Sequence, residues 1–214
     1  MRTGFPQIDP SFLPLVSSSF MKDQTGLCPH SIVHYNNRDP WPDLHPMTST
    51  LAAPPPQADP LQRQIEKAFA RCTYPGDHRL VYDTSGGHLE CNQVAKVFRG
   101  KHWRDIPLET LRTQHSAIFF FTPEAYAYFL PAYLIAGALH YEDADAIPDT
   151  VVFSLTPPDD PDLYDAHRLR MQSFTPEQRN AIIAFLQFLK DHFEDDDPMN
   201  DIDRALASSF LCLE

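Results

Sequence analysis

The sequence predicts a mainly α-helical fold, a single compact domain with at most a small β-sheet, α+β being the second choice. Three observations predict it. Apolar residues recur at helical spacing in several segments. Helix starts of the Thr-Pro-Glu type occur at Thr122 and again at Thr175. Hydrophobic residues make up 43% of the 214-residue chain and aromatics 12%, enough apolar surface for a core, which excludes global disorder.

Residues 1–58 read as a disordered or over-extended N-terminal stretch. Of the 21 prolines, 11 precede Leu61, and proline neither donates to a ladder nor frees φ. Met1 to His45 shows no useful period. Met47-Thr48-Ser49-Thr50-Leu51 followed by Ala52-Ala53-Pro54-Pro55-Pro56 looks like a flexible protein start, so the natural start is expected at Met47. Intact mass of the native protein checks this.

The α-rich domain is expected over residues 59–193. Asp59 is an N-cap candidate with Pro60 at the first helical position, and Leu61, Ile65, Ala68 and Phe69 follow at helical spacing. Tyr74 to Asp77 and Ser85 to Gly87 are breaks. Leu89 to Arg99 reads as helix, with Val94, Val97 and Phe98 on one side and Gly100 just past its end. Ile106 to Gln114 reads as a short helix opened by Pro107. Thr122 caps a helix with Pro123 and Glu124 behind it. That helix is apolar around most of its circumference, which marks it as central. Pro131 within it removes the bond to the Ala127 carbonyl and predicts a kink.

Arg79–Tyr82, Ala117–Phe121 and Thr150–Leu155 are the candidate strands, the last undecided between strand and helix. Leu163 to Gln172 reads as helix. Thr175 and Gln178 form a capping box before Ile182, Ile183, Phe185, Leu186 and Leu189. Residues 194–214 read as an acidic linker and a short terminal helix presenting Ile202, Ala205, Leu206 and Phe210.

The net charge is −12, and its distribution is lopsided. Residues 1–60 carry −2, residues 61–141 carry +2, and residues 142–214 carry −12. Such a C-terminal third repels phosphate backbones, so nucleic acid is not the expected partner. It attracts a basic protein. No succession of basic, apolar and small residues marks a secretory signal, so a cytoplasmic location with reduced Cys28, Cys72, Cys91 and Cys212 is expected. The apolar run from Ala125 to Leu139 is shorter than the roughly 20 residues a spanning helix needs, so no membrane partner is expected.

The chemistry-bearing motifs are sparse. Cys72, His78, His88 and Cys91 have zinc-ligand types but lack the paired knuckle spacing, leaving them weak metal candidates. There is no nucleophile elbow, P-loop or calcium loop, and no cofactor is expected. Lys96, Arg99, Lys101, His102 and Arg104 cluster around Trp103. They suit a phosphate or acidic contact, or else a surface helix end with Trp103 docked in the core.

Three stretches carry a resemblance. Phe98-Arg99-Gly100-Lys101-His102-Trp103 comes first. The run from Phe121 through Thr122-Pro123-Glu124-Ala125-Tyr126 to Tyr128-Phe129-Leu130-Pro131-Ala132-Tyr133-Leu134 follows, and then Phe174-Thr175-Pro176-Glu177-Gln178. Together they resemble an uncharacterised bacterial domain-of-unknown-function family, of the 6714 type, over about Leu61 to Phe193. The segment Tyr128 to Leu134 is its specific part. The resemblance implies one bacterial domain and brings no catalytic residues. Some small acidic bacterial proteins of this kind look like immunity proteins against secreted toxins.

The function expected is a non-enzymatic acidic binding protein, an immunity-type antagonist of a basic bacterial toxin. Its partner-facing residues are Glu142, Asp143, Asp145, Asp159, Asp160, Asp162, Asp195, Asp196 and Asp197. The alternative is an enzyme with a pocket at the Pro131 kink, where Tyr128, Tyr133, His140 and neighbouring acids converge.

Overall fold

Local capping decides where the helices of this chain begin, and one mostly apolar helix decides how they pack. The computed structural model describes residues 58–193 and 201–208, all within one compact unit, Ala52–Glu214. The expectations for residues 1–57, for Asp195 to Asp197 and for Phe210 lie outside the described residues.

Helix α1 (Ala58–Ala68) starts one residue before the predicted cap, so Asp59 sits in its first turn. Pro60 is harmless there because the first N–H groups of a helix have no intrahelical partner. Ala58, Leu61, Ile65 and Phe69 form its buried stripe. Helix α2 (Leu89–Phe98) buries Cys91, Val94 and Phe98, whereas Val97 is only partly buried. It ends at Gly100, whose φ of +65° lies in the left-handed region that glycine enters without strain. The short α3 (Leu108–Thr113) follows Pro107 and buries Leu111.

Helix α4 (Pro123–Leu139) is the centre of the fold. Of its 17 residues, 12 are buried, so it has no solvent face. It touches α1, α3, α5, α6 and α7. The Thr122 hydroxyl accepts from the Ala125 amide at 3.2 Å and donates to the Arg79 carbonyl at 2.7 Å, so the cap also ties the preceding chain to the helix. The helix runs on through Pro131.

No strand forms among the described residues. The sole β pairing among them is an isolated antiparallel bridge between Val81 and Phe121, flanked by bonds from Tyr82 N to Phe120 O and from Thr122 N to Leu80 O. The strand reading of Arg79–Tyr82 and of Ala117–Phe121 is therefore corrected, and the open choice at Thr150–Leu155 falls to helix. Arg79 belongs to a 3-10 turn over Asp77–Arg79, and most of Ala117–Phe121 to another over His115–Phe119. The cap at Thr122 turns the chain away after one bridge. Thr150–Leu155 lies inside helix α5 (Ile147–Leu155). Its β-branched Thr150, Val151 and Val152 are buried, and α5 packs on α4 and the C-terminal helix, so tertiary burial overrides strand propensity.

Helix α6 (Tyr164–Gln172) and helix α7 (Pro176–Phe193) complete the main body, α7 packing on both α1 and α4. The predicted capping box is present. The Gln178 amide nitrogen of the backbone donates to Thr175 Oγ1 at 3.3 Å, and the Thr175 backbone donates to Gln178 Oε1 at 2.9 Å. Helix α8 (Asp201–Leu206) buries Ile202 and Ala205 and packs on α5 and α7. This last helix is thus part of the common core and not a trailing segment. Among the described residues no helix is long and apolar enough to cross a membrane.

Candidate functional site

Two acidic loops bracket α5. The first carries Glu142 and Asp143 on a 3-10 turn (Tyr141–Asp143), then Asp145; the second carries Asp159, Asp160 and Asp162. Nine helical residues span about 13 Å, so the loops flank the two ends of one helix. Glu142, Asp145, Asp159, Asp160 and Asp162 are exposed, and Asp143 is half-buried.

These carboxylates are not equivalent. Asp145 takes a left-handed φ of 56°, which aspartate tolerates better than most residues. Asp160 Oδ1 accepts the Asp162 amide at 3.0 Å and so holds a 3-10 turn (Pro161–Leu163) in place. Asp159 meets Arg204 at 2.6 Å, and Arg204 also reaches Asp201 at 2.8 Å, fastening the second loop to α8. Asp159 is the most exposed of these partners, so its pair contributes little energy while still neutralising charge.

The helix between the loops adds a residue the sequence reading missed. Phe153 is 51% exposed, with one side resting on Phe119 at a ring separation of 5.8 Å. One turn before it stands exposed Asp149. A helical wheel places the two on one face. Read as an undecided apolar run, residues 150–155 hide that alternation.

The metal candidates do not gather. Among the described residues no three His, Cys, Asp or Glu side chains come together to hold a metal ion. His88 and Cys91 do meet: His88 Nδ1 accepts the Cys91 amide at 3.4 Å as the cap of α2, and its Nε2 lies 2.9 Å from the Tyr82 hydroxyl. His78 is exposed on its own 3-10 turn. Cys72 joins a different contact, accepting from Gln178 Nε2 at 3.0 Å. Burial pushes the thiols of both Cys72 and Cys91 up, which favours the protonated thiol over the nucleophilic thiolate.

Pro131 is buried within α4. Tyr128 packs edge-on against Tyr74, with burial raising its hydroxyl pKa. Tyr133 is fully buried and donates to the Gln114 carbonyl at 2.8 Å. Exposed His140 stands at the end of α4. The three side chains therefore have separate neighbours. The Ala127 carbonyl that Pro131 leaves open faces the Cys72 sulfur at 4.0 Å.

The basic segment splits in two. Trp103 is docked in the core at 2% exposure, with His102 stacked on it and the Arg104 guanidinium 4.1 Å above its ring. Lys96, Arg99 and Lys101 instead line an open groove between α2 and α3. Comparison with curated proteins and with solved structures yields no match in either. A family model described as a family of unknown function (DUF6714) matches residues 57–210. That match spans most of the chain and includes every described helix, and this protein therefore belongs to that family.

Proposed function

We propose that this protein acts by binding, and that the acidic edge of α5 docks a basic macromolecule in the manner of an immunity-type antagonist of a bacterial toxin in the cytoplasm. The observation that carries this reading is the half-exposed Phe153 on a helix whose two ends bear carboxylate loops. Interfaces concentrate their energy in aromatic anchors and use charged surroundings to steer encounter. A rigid helix packed on α4 and α8 holds that anchor ready, which lowers the ordering cost of association.

The experiment is a pull-down with the full chain at low and moderate salt, beside a variant carrying E142Q, D143N, D145N, D160N and D162N. The Asn choices keep the left-handed turn at position 145 and the turn-capping oxygen at position 160, so charge changes and fold does not. A basic protein retained at low salt, released at moderate salt and lost with the variant supports the reading. Retention of no salt-sensitive basic partner overturns it.

A further inference from the structure

We propose that the groove between α2 and α3 binds a small phosphorylated, non-aromatic molecule of the sugar-phosphate kind. Lys96 lies in the last turn of α2, and Arg99, three residues on, is the residue that ends it; both line the same groove. The chain then turns back at Gly100, whose positive φ brings Lys101 to the same groove. Phe98 and Trp103, both buried, pin the two ends of this turn in the core. The opposite wall is α3, which supplies Thr110 and Thr113.

The groove is open to solvent and offers about 820 Å³ along its length, so charge and hydrogen bonding, not enclosure, would hold a ligand there. Three cations line it and no carboxylate does. Among the described residues Lys96 and Lys101 make no ion pair, and Arg99 has a half-exposed contact from Nε to Asp77 at 3.7 Å, which holds it weakly. Gln93 and the Thr110 hydroxyl have no side-chain partner among the described residues, which leaves them to bond a hydroxylated ligand. The end of α2 opposes an anion with about half a negative charge, and three cations exceed that. No aromatic ring lines the groove, so nothing there stacks on a nucleobase. This groove shares no residue with the acidic edge of α5, and each reading stands or falls without the other.

The test is titration of the full chain with glucose 6-phosphate, followed by amide NMR shifts and calorimetry, with glucose, inorganic phosphate and a single-stranded oligonucleotide as comparisons. The expected result is saturable shifts confined to residues 92–101 and 110–114, with glucose silent and inorganic phosphate weaker than the sugar phosphate. K96E/K101E should weaken binding at least about ten-fold, as loss of two charge-assisted contacts implies. The single variant K101Q, with a smaller loss, serves if the double variant misfolds. Shifts that do not saturate, binding untouched by either variant, equal binding of glucose, or tighter binding of the oligonucleotide than of the sugar phosphate would each overturn the proposal.

Discussion

The Gln178 side chain donates to the Cys72 sulfur at 3.0 Å while its oxygen accepts the Thr175 amide at 2.9 Å. One residue thus starts α7 and fastens it to the chain leaving α1, beside the carbonyl that Pro131 leaves open. Gln178→Ala removes the side-chain half of the capping box and the thiol contact together, while the Thr175 hydroxyl still accepts from the backbone at 178, and a loss of about 1–2 kcal/mol is expected in urea unfolding. Gln178→Glu keeps an oxygen for the cap and deletes the donor to sulfur, so it should cost less. An alanine variant as stable as the parent would show that this junction contributes nothing.

His167 sets a pH dependence. It is buried on α6, and burial, aided by the nearby Arg170 charge, holds its imidazole down at about 4, against 6.5 for a free histidine. The unfolded chain therefore takes up this proton at a higher pH than the folded one. Stability from this group is complete above about 6.5 and is lost as pH falls toward 4. After discounting for solvent screening, the loss is on the order of 1–2 kcal/mol. Urea midpoints measured at pH 7, 5.5 and 4.5 check it, with His167→Gln expected to flatten the profile between them. Equal slopes in parent and variant would remove His167 as the cause.

Gly100 is expected to resist substitution although space surrounds it. A Cβ there meets nothing within 4 Å, so the obstacle is the backbone, at φ +65°. Gly100→Ala should cost about 1 kcal/mol from forcing the left-handed region, and Gly100→Asn less, because asparagine visits that region more readily. Thermal melts of the two variants compare them directly. An alanine variant matching the parent would mean that the turn relaxes.

The helices legible in the sequence are those whose start is written in adjacent residues. Thr122 before Pro123 and Thr175 before Gln178 work through bonds that close within one turn, so three or four letters suffice. Thr150–Leu155 was not legible for the opposite reason. Its β-branched residues fit strand or buried helix equally, and only packing against α4 and α8 decides. The candidate surfaces divide in the same way. The acidic loops announce themselves as charge, and so do Lys96, Arg99 and Lys101. The wall that turns those three bases into a groove comes from Thr110 and Thr113, placed there by tertiary packing. His88 and Cys91, three residues apart, meet through a helix cap, while Cys72 is drawn off to Gln178 across 106 residues of chain.

Phe153 separates binding from folding. At 51% exposure it has already forgone much of the burial that makes a core phenylalanine costly to truncate, and its ring rests edge-on against Phe119. Phe153→Ala should therefore lower stability by about 1 kcal/mol or less, well short of the 3–5 kcal/mol typical of a buried phenylalanine. Its effect on a partner should be larger, because an aromatic anchor at the centre of an interface commonly costs about 2 kcal/mol or more when truncated, or roughly thirty-fold in affinity. Carboxylate neutralisation on the flanking loops should act differently, slowing association and flattening its salt dependence with a smaller change in dissociation. Stopped-flow or surface binding measurements on the two classes of variant distinguish these effects. If Phe153→Ala leaves dissociation unchanged, or unfolds the chain as a core truncation does, the aromatic ring is not the anchor and the acidic edge of α5 is only a solvated face.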